Sequence, residues 1–350
     1  MMTALNVQAQ KIQVVDADGY GIPLVSVLSE SGVLIGTTDL DGVLANVKGA
    51  AKVALTHVAY KPQLVTVASL QDGRITMESV DYGLEQVDVK PKPFLYVEYY
   101  YRAFSYIDDS LRVYSAGIIP VAHEISKKYE GRTRGVWSFG GAANKALTWN
   151  TQDMEDIAEK SALTAVTPIE KSFRESSQYQ ERYKTSVVPD GENRWLIRNP
   201  EEVLGHIVHA DGLSVTTIDA GRSQIYGNKA NGEEKKAKRQ EYVNYTYQYT
   251  EVFKLDEDGK VQPEGFVMEQ NHWEQDTKKG RRITILYLYA TDKAYMDEAE
   301  FKVRRKALSK GREGDMTLGE LAEYERTHNI PALAPEQQGA IQKLKKKTGE

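Results

Sequence analysis

The chain has 350 residues, 41% of them hydrophobic and 27% charged; that is enough for two or three domains with real cores, and it is neither collagenous nor broadly disordered. Its 45 basic and 50 acidic side chains leave a net charge of −5, which disfavours nucleic-acid binding as the main role. The absence of cysteine excludes disulfides, thiolate nucleophiles, iron–sulfur clusters and cysteine-ligated zinc. No apolar run approaches the ~20 residues of a spanning helix, so no transmembrane segment is expected.

Residues 1–10, MMTALNVQAQ, lack the basic and apolar regions of a complete secretory signal. They read either as a disordered start or as the remnant of such a signal. Residues 11–90 are a series of short β-rich runs separated by turn residues. Asp16-Ala17-Asp18-Gly19, Ser31-Gly32 and Asp39-Leu40-Asp41-Gly42 punctuate them. Short strands at this spacing predict an all-β sandwich or barrel.

Three pieces of this segment resemble a known family. They are Asp16-x-x-Gly19-x-Gly21-x-Pro23-Leu24-x-x-Val27, Gly36-Thr37-Thr38-Asp39-x-x-Gly42 and His57-Val58-x-Tyr60-Lys61-Pro62. Together they resemble the carboxypeptidase regulatory-like domain, a transthyretin-like β-sandwich abundant in the envelope of Gram-negative bacteria. The resemblance implies an exported protein, periplasmic or associated with the outer membrane. It implies no peptidase activity. His57, at a strand end, reads as a packed core residue rather than a ligand.

Pro91 and Pro93 mark a stiff linker. The run from Phe94 to Phe104 then carries Tyr96, Tyr99, Tyr100 and Tyr101, and Asp108-Asp109-Ser110 turns the chain back. With aromatics on both faces, one face packs inward; the other is exposed or covered by a downstream helix. These four tyrosines are candidate ligand-binding residues, a platform for sugar rings. The alternative is that tyrosine simply suits a half-buried sheet. The segment from Tyr99 to Val121 also resembles uncharacterised envelope proteins that carry the regulatory-like domain.

Thr151, with Asp153, Glu155 and Asp156, predicts a helix start. Asn199-Pro200-Glu201-Glu202 predicts another, with Asn199 as N-cap and Pro200 in the first turn. On that helix Glu202, His206 and His209 would share a face, the best metal-like constellation in the chain. Its spacing is not that of a zinc peptidase and a third strong ligand is not evident. From Leu213 onward strands dominate. Three of them, around Tyr242–Phe253, Gly265–Glu274 and Ile283–Tyr289, predict an antiparallel meander with one polar face. The Lys- and Glu-rich stretch 229–241 reads as a solvated hairpin tip or a contact for an anionic surface.

Asp297-Glu298-Ala299-Glu300 is a capping box, with Met296 and Phe301 at the staple positions. Thr317-Leu318-Gly319-Glu320 is a second. Pro335 to Lys347 predicts a last helix ending in a basic tail.

The expected fold class is therefore mainly β, α+β in its second part. A sandwich at 11–90 is followed by a tyrosine-rich sheet domain at 94–291 and helices at 292–350. Phosphate-loop, dinucleotide, nucleophile-elbow and EF-hand motifs are absent, and no cofactor is expected. The leading expectation is a non-enzymatic envelope protein that binds another envelope protein or a glycan. The alternatives are a metal-assisted hydrolase using His206 and His209, and a carbohydrate binder using the tyrosines.

Overall fold

The computed structural model describes residues 11–348 except 46, 48–49, 68–69, 71, 81–93, 125–135, 138–151, 183, 220–244, 278–279 and 310–317. The expectations for residues 1–10, the Pro91–Pro93 linker, the stretch 229–241 and the Thr317 cap lie outside the described residues. The chain divides into two compact units. One comprises Met1–Asp81, Tyr106–Arg112 and Pro331–Glu350; the other comprises Tyr82–Ser105 and Val113–Ile330. This differs from the expected boundaries, because two later pieces of chain join the N-terminal segment.

The first unit is built on a two-sheet sandwich. One sheet has the order β4 (Val43–Leu44), β1 (Ile12–Val15), β7 (Arg74–Thr76). The other has the order β3 (Leu34–Thr37), β2 (Ser26–Ser29), β5 (Lys52–His57), β6 (Tyr60–Thr66). Only the β1–β7 pair among these is parallel. The apolar residues of both sheets meet in one core that includes Ile12, Val14, Val25, Val27, Val53, Leu55 and Ile75. Alternation puts them inward, as the pleat requires.

The turns between these strands share one device. Asp16 Oδ1 accepts the N–H groups of Asp18 and Tyr20 at 3.0 and 2.8 Å. Asp39 Oδ1 accepts those of Asp41 and Val43 at the same distances. Each carboxylate thus closes its own turn. Gly42 comes next at φ +72°, and a Cβ there would meet the Val14 carbonyl oxygen at 2.2 Å. Thr38, fully buried, donates its Oγ1–H to Ile22 O (2.7 Å) and accepts from Val25 N (2.9 Å).

Among the described residues the second unit is organised by a ten-stranded sheet. Its order is β10 (Val136–Trp137), β9 (Ser110–Glu124), β8 (Phe94–Ile107), β17 (Gly280–Met296), β16 (Val261–Thr277), β15 (Tyr245–Leu255), β14 (Leu213–Asp219), β13 (Val203–Ala210), β12 (Arg194–Arg198), β11 (Ser186–Pro189). The pairings from β11 through β17 are antiparallel. The turn between β8 and β9 places Asp108 and Asp109 at positive φ, the conformation a tight hairpin demands.

Helices cover both faces of this sheet. On one, α1 (Gln152–Thr164) sets Ala158 and Ala162 against Tyr99, Tyr101, Leu286 and Leu288. Further along the same face, α2 (Ile169–Glu175) sets Phe173 against Ile197, Ile207 and Ile218. A π-turn (Gln178–Arg182) comes after it. Beyond β17 lies α3 (Glu298–Ser309), and its capping box is present in full. Asp297 Oδ1 accepts Ala299 N–H and Glu300 N–H, and Glu300 Oε2 accepts Asp297 N–H. Met296 and Phe301 close over Tyr96 and Ala122, as the staple positions predict.

On the opposite face, α4 (Leu318–Thr327) is bonded to the sheet through Tyr324 and Glu325. The expected polar face of the meander is therefore not a solvent face: Thr250, Gln270 and His272 are buried. The last helix, α5 (Pro335–Thr348), belongs to the first unit. Gly32, at φ +75°, lies so close to it that a Cβ would meet the Glu336 carbonyl oxygen at 2.3 Å.

The segment after Asn199 corrects the sequence reading. Asn199 Oδ1 accepts the N–H groups of Glu201 and Glu202, both at 2.8 Å. The element it leads into is not a helix but the strand β13, paired on both sides.

Candidate functional site

Tyr96, Tyr99, Tyr100 and Tyr101, the candidate platform, are all buried, none more than 2% exposed. Strand alternation sends Tyr96 and Tyr100 to one face and Tyr99 and Tyr101 to the other. Their hydroxyls are taken: Tyr96 by Glu98, Tyr99 by His123, Tyr100 by Glu325, Tyr101 by Ser115. They are interior on both faces of the sheet and form no exposed platform.

His206 and His209 lie three apart on a strand, so they point to opposite faces. His206 Nδ1 is 3.2 Å from Arg194, His209 Nε2 is 3.0 Å from Glu170, and Glu202 is exposed in the preceding turn. The structure does not bring these three together. Among the described residues no group of three or more histidine or carboxylate side chains is arranged to hold a metal ion. His57 is buried and neutral; burial holds its imidazole down at about 3, and Nδ1 accepts Ala59 N–H.

A cluster that the sequence reading missed lies beneath α1 and α2. Glu251 on β15 and Glu269 on β16 stand directly opposite each other, 1% and 2% exposed. Tyr249 Oη lies 3.1 Å from Glu251 Oε2 and 3.1 Å from Glu269 Oε2. Glu251 Oε1 accepts Ile169 N–H and Glu170 N–H at 2.7 and 3.2 Å. Glu269 Oε1 accepts Asn271 Nδ2–H at 2.9 Å, and Asn271 Oδ1 accepts the Tyr247 hydroxyl at 2.6 Å. Asn271 Nδ2 also donates to Ser161 of α1 at 3.3 Å. Burial pushes Glu251 well above the ordinary carboxylate range and Glu269 up to about 7, because a charge taken out of water is costly. A signal was present: at period two, Glu251 continues the stripe Tyr245, Tyr247, Tyr249, a carboxylate in an aromatic row.

Beside it, Glu170 receives three donors: Ser214 Oγ at 2.7 Å, Arg174 Nε at 2.8 Å and His209 Nε2 at 3.0 Å. Burial alone would raise Glu170, but these bonds together hold it below the ordinary carboxylate value. Arg174 also lies over the Trp195 ring at 4.8 Å. The serine is bonded to the carboxylate rather than to the histidine, so the set is not a nucleophile–base arrangement. It fastens α2 to β13 and β14.

No family model matches the chain, and no curated protein does. A solved structure of lipovitellin, described as showing lipid–protein interactions in that protein, is similar at 10% identity with a TM-score of 0.28. The likeness covers 58% of this chain, which spans about a quarter (26%) of the length of that protein.

Proposed function

We propose that the chain is a non-enzymatic binding protein of the cell envelope, in which a carboxypeptidase regulatory-like sandwich and a wide sheet unit present surfaces to another envelope protein or a glycan. One observation carries the reading. The residues that gave the resemblance act as fold-holding parts in the sandwich: Thr38 joins two backbone segments, Asp39 closes its turn, and Gly42 sits where no side chain fits. The interior polar groups of the second unit agree with it. Glu170, Glu251 and Glu325 are each bonded so as to fix a helix to the sheet. Among the described residues no helix is long and apolar enough to cross a membrane.

Fractionation of cells producing the full chain from its own gene tests the location. It is expected in the periplasmic or outer-membrane fraction, and confinement to the cytosol overturns the reading. Titration of the purified chain against isolated envelope proteins and polysaccharides tests the role. Saturable binding to one component is expected; a non-saturating response to all of them counts against it.

A further inference from the structure

The contacts of Tyr249 impose a proton count. A phenol carries one hydrogen, yet its oxygen lies 3.1 Å from a carboxyl oxygen of Glu251 and 3.1 Å from one of Glu269. Tyr249 can donate to one carboxylate only. The other contact is a hydrogen bond only if that carboxyl brings its own proton. Were both ionised, two buried oxygens would face each other with no hydrogen between them and two charges would share one buried site.

We propose that Glu251 and Glu269 hold one proton between them through Tyr249, and that this proton is a pH-sensitive latch fastening α1 and α2 to the sheet. With the proton on Glu251 Oε2 every contact has one donor and one acceptor. Glu251 donates to Tyr249, Tyr249 donates to Glu269, and Glu251 Oε1 stays free to accept Ile169 N–H and Glu170 N–H. Asn271 completes the chain, donating to Glu269 and to Ser161. The proton thus sits between the start of α2 and the last turn of α1.

The described groups facing the pair do not supply a compensating cation. On β15 they are Tyr247 and Tyr249, and on β8 Tyr99, whose ionisation Glu269 opposes. From β14 comes Thr216, opposite Glu251, and from β17 come Leu286 and Leu288, opposite Asn271 and Glu269. Glu170 of α2 is negative, and its neighbours Arg174 and His209 are bonded to Glu170 itself. Deprotonation is therefore relieved most cheaply by letting water in, which means lifting the helices from the sheet.

The sign is fixed by the direction of the shift. The closed form binds the proton more tightly than the open form. The latch is complete below the ordinary glutamate range, and its hold is lost as pH rises through the folded values.

Amide hydrogen exchange of residues 157–175 in the full chain, corrected for the intrinsic rate, reads the opening directly. From about pH 5.5 to about pH 7 the wild-type opening constant is expected to rise by up to about tenfold per pH unit relative to the Glu251→Gln/Glu269→Gln double variant. Parallel profiles for the two proteins overturn the proposal. Infrared spectroscopy of the wild type gives a readout that needs no variant. A protonated carboxyl stretch is expected near neutral pH, where exposed carboxyls are ionised. Its absence removes the shared proton and the latch with it.

Discussion

A single carboxylate or hydroxyl closes several of the turns here. Asp256 repeats what Asp16 and Asp39 do, accepting Asp258 N–H and Lys260 N–H at 3.0 and 2.8 Å. An Asp-x-Asp-Gly string specifies this geometry locally, so it reads directly from sequence. Asn199 shows the limit of such local reading. Its carboxamide accepts the N–H groups two and three residues on, as a helix cap would. The choice between helix and strand beyond it is made elsewhere, by pairing of Val203–Ala210 with β12 and β14. Thr38 offers a test at this scale. Thr38→Val removes a donor to Ile22 O and an acceptor for Val25 N, and is expected to cost about 1–3 kcal/mol in denaturant unfolding. Thr38→Ser should retain most of the stability.

Between elements, the sheet is tied to its helices by buried polar groups as well as by apolar packing. On the α4 face, Glu325 meets Arg102 at 2.7 Å and also receives the Tyr100 hydroxyl. Tyr324 donates to Glu98 at 2.8 Å and lies 2.6 Å from the Thr291 hydroxyl. Arg102 is 3% exposed, and Glu325 is the carboxylate that meets it. Glu325→Ala takes that countercharge from a buried guanidinium and is expected to cost about 3–5 kcal/mol, whereas Arg102→Met with Glu325→Leu should cost much less. Chemical denaturation of the single and double variants measures the difference. From sequence, the tyrosine run predicted a strand with aromatics on both faces, and so it folds. What covers its second face was not legible, because the partner helix lies more than 200 residues downstream in the chain (Tyr100 to Glu325). The same holds for Glu251 and Glu269: register across two strands, not spacing along one, brings them together.

At the scale of the whole molecule, the class was readable from alternation and turn chemistry, while the ten-strand order was not, since alternation does not name a strand's neighbours. The buried histidines set the acid limit of stability. Burial holds His57 and His123 at about 3 and His272 at about 4. Unfolded imidazole takes a proton near 6.5, so the contribution of these histidines to stability is full above that value and falls as pH drops toward the folded values. Neither ring nitrogen of His272 has a hydrogen-bond partner among the described residues. His272→Leu is therefore expected to leave stability at neutral pH unchanged or higher, and to make its loss on acidification shallower; melting temperatures across the acid range check both. Finally, the first unit is assembled from three separated stretches, with Leu34 N–H donating to Asp109 O at 3.3 Å and Lys343 Nζ to Ser31 O at 3.4 Å. Synthesis runs from the N-terminus, so Pro331–Glu350 is delivered long after Met1–Asp81. The portion translated first must therefore wait, with one flank unfinished, until that later stretch has been read.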